Sequence, residues 1–143
     1  MPIIISHRGL YFGSNKSREN NPVYIKELLK DNIPCEIDLR IKNNKLYLGH
    51  DFEQYRITLD FLVENRNLLY VHAKTINALY WLANTAYDLH YFYHTVEDAV
   101  LTSKKFIWQA HYNDLTPKTI VIDLSITPRY NSKCWGICCD YLK

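Results

Sequence analysis

Short runs of apolar residues alternate with amphipathic segments along most of the chain, as expected for strands and helices that pack in layers. The apolar runs are β-branched or aromatic and are bounded by turn residues, which favours strands. In the first two thirds of the chain these predicted strands are residues 2–6, 35–40, 45–48, 68–72 and 89–94. Asn43-Asn44 predicts a hairpin turn between the second and third of them.

Helices are predicted where a capping residue precedes an amphipathic segment. Asn21 is followed by Pro22, which suits the first turn of a helix, and by Ile25, Leu28 and Leu29 on one stripe. Thr58 and Thr75 are the predicted caps of two more helices, which begin at residues 59 and 76. The first strand, first helix and second strand therefore predict a βαβ unit with parallel neighbouring strands.

The last third of the chain holds three more apolar runs, at residues 106–109, 119–124 and 135–139, without clear helices between them. Alternating strands and helices predict an α/β fold with a mostly parallel sheet. Seven or eight runs suit a TIM-like (β/α) barrel, although such barrels usually need about 200 residues or more. We therefore expect a reduced barrel, and an open doubly wound sheet remains the alternative.

Composition predicts one globular domain, residues 1–143, and restricts the kinds of partner. Seventeen basic and fifteen acidic residues give a net charge of +2, too small to indicate a nucleic-acid groove. No apolar run reaches the roughly 18 residues of a membrane span, so we expect no transmembrane segment and a cytoplasmic location. The cysteine spacings match no zinc site or disulfide framework, which indicates buried thiols. A homo-oligomer that covers the short barrel is a further expectation.

The segment Glu36-Ile37-Asp38 is the strongest candidate for a metal site. Residues i and i+2 of a strand point to the same face, so the two carboxylates form a pair. Inside a sheet they would repel each other unless a cation lay between them, and hard divalent ions prefer such oxygen ligands. The alternative is an edge strand on which both acids face water.

Two histidines are expected near the same place. His7-Arg8 follows the first strand and His50-Asp51 follows the third, and parallel α/β folds place their sites at carboxyl ends of strands. An imidazole can accept or donate a proton near neutral pH, and an arginine can bind phosphate oxygens. Taken singly, each of these residues could instead be a capping, core or surface residue.

Taken together, these residues resemble the glycerophosphodiester phosphodiesterase family in order and spacing. The resemblance is clear over residues 1–52 and is carried by Ile4-Ile5-Ser6-His7-Arg8-Gly9, Glu19-Asn20, Glu36-Ile37-Asp38-Leu39-Arg40 and Gly49-His50-Asp51. It implies a TIM-like barrel with a divalent metal at its mouth and a histidine pair acting on a phosphodiester.

The resemblance also implies a role for each matching residue. His7 and His50 correspond to the general acid–base pair, and Glu36 and Asp38 to the metal carboxylates. Arg8 corresponds to the arginine that contacts phosphate. Glu19, in the Glu-Asn motif, is a further candidate.

The chain departs from the family at Val71-His72-Ala73-Lys74. The family has an acidic ligand where this chain has His72, so either a nitrogen enters the metal sphere or the ion keeps two protein carboxylates. Mg²⁺ or Ca²⁺ is expected with carboxylates alone, whereas a nitrogen ligand shifts the preference toward Mn²⁺ or Zn²⁺. Lys74 shares a strand face with His72 and is a candidate phosphate ligand.

Further along the chain, His94 and Asp98 are candidates for the same site. His94 ends a predicted strand, whereas Asp98 has capping-like spacing from Thr95. Trp108, Tyr112 and Tyr130 could form an aromatic wall or belong to the core. Residues 136–140 resemble the closing strand of the family.

The function expected from these motifs is metal-dependent hydrolysis of glycerophosphodiesters by general acid–base catalysis. One alternative is a phospholipase D-like activity on lysophospholipids, which would connect the chain with lipid metabolism. The other is a non-catalytic phosphate-binding relic, in which His72 and the loss of helices have abolished turnover. The expected ligands are thus a divalent metal ion and a small phosphodiester or lysolipid.

Overall fold

The computed structural model describes residues 1–142 of the 143-residue chain. Over that length, ten strands and three helices follow one another, and most coincide with the predicted runs. In chain order they are β1 (Ile3–His7), α1 (Pro22–Lys30), β2 (Cys35–Lys42), β3 (Lys45–Leu48), β4 (Tyr55–Ile57), α2 (Leu59–Glu64), β5 (Leu69–Ala73), α3 (Ile76–Asn84), β6 (Tyr91–Phe92), β7 (Ala99–Leu101), β8 (Ile107–Gln109), β9 (Thr119–Ile122) and β10 (Gly136–Cys139).

The differences from the sequence prediction are confined to short strands. β4 and β7 have no predicted counterpart, since three residues are too few to show an apolar alternation. The strand predicted over residues 89–94 is reduced to Tyr91–Phe92.

The sheet is mixed and mostly parallel. Seven strands are parallel neighbours in the order β6-β5-β2-β1-β10-β9-β8. β3 and β4 add an antiparallel meander to the carboxyl-terminal half of β2. At the other end of the sheet, β7 pairs antiparallel with β8. The predicted βαβ unit is confirmed, because β1 and β2 are parallel neighbours joined through α1.

The parallel sheet is curled, so that its two outermost parallel strands approach each other. Phe92 on β6 stacks on Trp108 on β8 with ring centroids 4.3 Å apart. Six strands contribute buried side chains to the cluster inside the curl, namely Ile5, Tyr70, Phe92, Trp108, Ile120 and Cys138. Side chains of strands at opposite ends of a flat sheet could not meet in this way.

Helices cover one part of the outer surface of the sheet. Apolar residues of α1, α2 and α3 pack on β2 and β5 in the largest core cluster. Each helix begins where predicted, since Asn21, Thr58 and Thr75 accept hydrogen bonds from backbone N–H groups in the first turn.

The outer surface of β9 and β10 is covered differently. Val121, Ile137 and Cys139 pack against Tyr112 and Leu115, which lie in irregular segments. The absence of clear helices in the last third of the sequence is thereby confirmed for the described residues. All four cysteines are buried and unpaired, as predicted.

Candidate active site and metal centre

The predicted site residues meet at the carboxyl ends of the parallel strands, an edge referred to below as the mouth. His7 ends β1, Glu36 and Asp38 lie on β2, and His72 lies on β5. They border a pocket of about 340 Å³, which is lined by His7, Arg8, Glu36, His50, His72, Lys74, His94, Thr95, Trp108, Ile122 and Leu124. His7, Arg8 and His50 therefore converge on one pocket, although His7 and His50 are 43 positions apart in the sequence.

Glu36, Asp38 and His72 form a buried group with the geometry of a metal site. Each offers a ligand atom, and these atoms all lie within 4.8 Å of one another. His72 Nδ1 lies 3.3 Å from Asp38 Oδ1 and 3.9 Å from Glu36 Oε1. Asp38 Oδ1 and Glu36 Oε2 are buried and have no hydrogen-bond donor in the described residues. Such buried oxygens are stabilised by a cation, so the group could hold a metal ion.

Burial and neighbouring charges act differently on the two carboxyl groups. Burial and the charge of Asp38 hold the pKa of Glu36 well above its usual value. Burial also acts to raise the pKa of Asp38, but the close contacts with His50 and His72 and the charge of Arg8 outweigh it and hold this pKa well below its usual value. Of the two, Glu36 is therefore the carboxyl group that more readily takes up a proton.

His72 is oriented with Nδ1 toward the carboxylates. Its Nε2 lies 3.4 Å from the backbone oxygen of His94, and the two imidazole rings stack with centroids 4.8 Å apart. A hydrogen bond donated by Nε2 to this carbonyl would leave Nδ1 unprotonated and able to bind a metal together with Asp38 and Glu36. A backbone carbonyl commonly fixes the tautomer of metal-binding histidines in this way.

Arg8 is held next to Asp38 by an unusual backbone conformation. Its φ is +56°, and it is fixed by hydrogen bonds from its N–H to the oxygen of Glu36 and to its oxygen from the N–H of Asn20. Arg8 Nε then lies 3.1 Å from Asp38 Oδ2, and Nη1 lies 3.4 Å from Glu19 Oε2. Left-handed backbone at a non-glycine residue is sparsely populated and is concentrated at functional sites.

Asn20, the second residue of the Glu-Asn motif, hydrogen-bonds to Asp38. Its amide group donates to Asp38 Oδ2 and accepts from the backbone N–H of Asp38, both at 2.9 Å. Asn20 is fully buried, and this pair of bonds fixes Asp38 in position. Glu19 contacts Arg8 and Lys16 rather than the metal group.

His7 is oriented by Asp140, which follows β10. The distance from His7 Nδ1 to Asp140 Oδ1 is 2.6 Å. A proton on Nδ1 donated to this carboxylate leaves Nε2 unprotonated, 3.8 Å from Glu36 Oε2 and at the pocket wall. The arrangement makes His7 a candidate general base.

His50 lies between two carboxylates at the entrance of the pocket. Its Nδ1 is 3.5 Å from Asp38 Oδ2, and its Nε2 is 3.8 Å from Asp51 Oδ1. Arg40 donates hydrogen bonds to the backbone oxygens of Gly49 and His50, which fixes the loop. Gly49 is required there because a Cβ would lie 1.9 Å from the backbone oxygen of Phe52.

The remaining candidates differ in how close they come to the pocket. Lys74 and His94 line it, as does Trp108. Asp98 borders a small adjoining cavity instead, and no helix begins at Thr95. Tyr112 donates a hydrogen bond to Asp123 and lies outside the pocket lining, so the aromatic wall consists of Trp108 alone among the three candidates.

Asp140, Asn20 and Arg40 lie in the motifs that carry the resemblance, but sequence reasoning assigned none of them a role of its own. Asp140 comes directly after the last predicted strand, so its position at a carboxyl end was a signal that could have placed it near His7. Arg40 shares a strand face with Glu36 and Asp38 by its spacing alone.

Comparisons of the chain with family models, with curated proteins and with solved structures found no match. The resemblance described above therefore stands on the motifs themselves. Within residues 1–142, no helix combines the length and apolar composition needed to cross a membrane.

Proposed function

We propose that this protein is a metal-dependent phosphodiesterase of the glycerophosphodiester type, built on a reduced TIM-like barrel. The observation that carries the proposal is the buried Glu36–Asp38–His72 group with His7 and His50 beside it at one mouth. The order of the parallel strands and the side chains packed inside the curl support the barrel. Phosphodiester hydrolysis requires charge neutralisation and two proton transfers, and this site has groups for both.

The residues present fit a divalent metal ion. Glu36, Asp38 and His72 would hold it, since two buried carboxylate oxygens lack a donor and His72 Nδ1 lies 3.3 Å from one of them, Asp38 Oδ1. Bound there, the ion would act as a Lewis acid on a phosphoryl oxygen. The imidazole nitrogen favours Mn²⁺ or Zn²⁺ over Mg²⁺ and Ca²⁺.

Arg8 and Lys74 neutralise the rest of the phosphate charge in this proposal. Arg8 Nε and Nη1 contact Asp38 and Glu19, and the side chain lines the pocket, where its remaining N–H groups could reach the substrate. Lys74 follows β5, which neighbours β2, and its side chain lines the pocket. The two cations thus approach the phosphate from different strands.

His7 and His50 have complementary positions for the two proton transfers. His7 Nε2 accepts the proton of the attacking hydroxyl, either water or a neighbouring hydroxyl of the substrate, as its oxygen bonds to phosphorus. The bond from phosphorus to the leaving oxygen breaks, and protonated His50 donates its proton to that alkoxide. Asp140 keeps the proton on His7 Nδ1 and so leaves Nε2 free to act as the base.

Turnover of a panel of water-soluble glycerophosphodiesters tests the proposal. The purified protein is assayed with Mg²⁺, Ca²⁺, Mn²⁺, Zn²⁺ or chelator beside His50→Ala, with His111→Ala as the matched control because His111 lies outside the pocket lining. Loss of a general acid is expected to lower kcat about 10²- to 10⁴-fold, while the control stays near wild type. No turnover with any ion, combined with tight phosphate binding, would favour the phosphate-binding relic.

A further inference from the structure

The ring of parallel strands has a gap between β6 and β8. These are the outermost of the seven parallel neighbours, and within the described residues no strand ladder joins them. β6 consists of Tyr91 and Phe92 alone, and its one ladder in that part of the chain is with β5. So short a strand needs further bonds to keep a fixed position, because one side of its backbone is otherwise unpaired.

Two residues with hydroxyl side chains bridge this gap. They are Thr102 and Ser103, in the turn between β7 and β8, and they are called the seam. The N–H of Ser103 donates to the backbone oxygen of Tyr91 at 2.8 Å, and Ser103 Oγ accepts from the N–H of Tyr91 at 2.9 Å. The same Oγ donates to the backbone oxygen of Leu89 at 3.2 Å. One residue thus bonds both backbone polar groups of Tyr91 across the gap.

Thr102 is the buried half of the seam. Its Oγ1 lies 2.7 Å from His90 Nε2 and accepts from the backbone N–H of Phe106 at 3.1 Å. His90 is also buried, and its backbone oxygen accepts from the N–H of Val71 on β5. A buried polar group that loses its partner cannot turn to water as an exposed one does. Thr102 is therefore the member of the seam whose bonds water replaces least readily.

The seam reaches the metal group through the residues that follow Tyr91. Phe92 stacks on His72 with ring centroids 4.8 Å apart, and it also stacks on Trp108. Two residues further along, the backbone oxygen of His94 lies 3.4 Å from His72 Nε2. A carbonyl at this place keeps the proton on Nε2 and leaves Nδ1 as the ligand atom. The position of β6 between β5 and the seam therefore sets the position of that carbonyl.

We propose that the seam closes the ring of strands between β6 and β8 and that Thr102 is thereby a positioning residue of the metal centre. Thr102 acts through β6 on the carbonyl of His94, and this carbonyl sets the tautomer of His72. The metal in this scheme rests on the proposed function, whereas the ring closure and the tautomer are properties of the metal-free protein.

Thr102→Val is the main test, since valine keeps the shape of threonine without its hydroxyl. Thr102→Ser keeps the hydroxyl and should behave like wild type. Thr119→Val is the matched control, because Thr119 is fully buried at the amino end of β9 and its Oγ1 accepts from the N–H of Thr116 at 2.9 Å. Urea unfolding in chelator gives the stability of each variant, so that metal affinities are compared at similar stability.

Two measurements report on the metal group. Long-range ¹H–¹⁵N spectra of the metal-free protein identify the protonated nitrogen of His72, which is expected to be Nε2 in wild type and a mixture of both in Thr102→Val. Calorimetric titration with Zn²⁺ gives the affinity. Loss of an outer-shell partner typically weakens metal binding 10- to 100-fold, and here the carbonyl is displaced but not removed, so Kd should rise about tenfold in Thr102→Val. It should stay within about twofold in Thr102→Ser and Thr119→Val.

An unchanged tautomer and Kd in Thr102→Val would overturn the positioning role. An equal rise in Kd in Thr119→Val would also overturn it, since general destabilisation would then explain the effect. Ser103→Ala tests the ring closure by itself: the Tyr91 amide should exchange with solvent about tenfold faster, and unchanged exchange would refute the seam. If wild type binds no divalent ion, the proposed metal centre fails, and the tautomer and the amide exchange still decide whether the seam holds β6.

Discussion

Replacing each buried carboxylate by its amide is expected to have different effects on the metal-free protein. Glu36 has a pKa well above its usual value because of burial and the neighbouring Asp38, so it is the carboxyl group of the pair that more readily takes up a proton. Gln resembles the protonated form in shape and charge. Asp38 is charged and lies 3.1 Å from Arg8 Nε, so Asn removes the counter-charge of a partly buried guanidinium.

The magnitudes follow from these contacts. Breaking a buried ion pair from one side costs about 3–5 kcal/mol. In Asp38→Asn the free energy of unfolding should fall by about 3 kcal/mol, the lower figure, because Glu36 ionises more easily once Asp38 is neutral and partly replaces it beside Arg8. Glu36→Gln should stay within about 1 kcal/mol of wild type, since no charged partner is lost.

The assay is urea unfolding in chelator at pH 6, repeated with Mn²⁺ or Zn²⁺. A ligand at about 100 times its Kd stabilises the native state by about 2.7 kcal/mol, and both amide variants should lose most of this gain. Glu97→Gln is the matched control, because Glu97 is exposed and outside the metal group. A metal-free loss in Glu36→Gln as large as that in Asp38→Asn would refute the assignment of the proton to Glu36.

Three further results are expected. Asp140→Asn keeps an oxygen for His7 but removes its charge, so kcat/KM should fall about 10- to 100-fold while metal affinity is unchanged; a parallel loss of metal affinity would contradict a role limited to His7. Burial and nearby lysines lower the pKa of His90 to about 4, so the native state resists its protonation. The contribution of neutral His90 to the free energy of unfolding is therefore full above about pH 6.5 and should decline by about 3 kcal/mol as the pH falls to 4. In urea titrations, His90→Gln, which can still hydrogen-bond to Thr102, should lack this decline. Metal binding must displace the proton of Glu36, so calorimetry in buffers of different ionisation enthalpy should detect proton release, and affinity should rise with pH; pH-independent affinity would contradict it.

The strands and helices that position the site could be predicted because their signals are local. Asn21, Thr58 and Thr75 each precede an amphipathic segment, and each caps a helix in the structure. Asn43 and Asn44 both have positive φ, as a two-residue hairpin turn requires. The curl of the sheet was beyond such signals, because it depends on which strands meet, as Phe92 and Trp108 do across the interior.

Predicting the site from the sequence succeeded for residues that share a strand or follow a predicted strand end, such as His7 and His50, and it missed specific side-chain contacts between residues distant in sequence. Glu36 and Asp38 are two residues apart on one strand, so their common face follows from the period of a strand. Asp140 is 133 residues from His7, and only the parallel pairing of β1 with β10 brings them together. Asn20 likewise reaches Asp38 through the backbone conformation of Arg8, which no residue pattern predicts.

The distribution of helices around the sheet accounts for how so short a chain can maintain a buried charged group. The three helices pack on β2 and β5, the strands that carry Glu36, Asp38 and His72, and the residues between and beside these ligands belong to that core. On this side an exact strand position matters, because a displacement of about 1 Å in a site of this kind can lower activity about 100-fold. β8 and β9 contribute apolar walls to the pocket, where irregular packing suffices. Within the described residues, helices are thus absent where the proposed chemistry tolerates irregular packing, and destabilising the α1–β2 contact should affect metal affinity more than an equally destabilising change beneath β9.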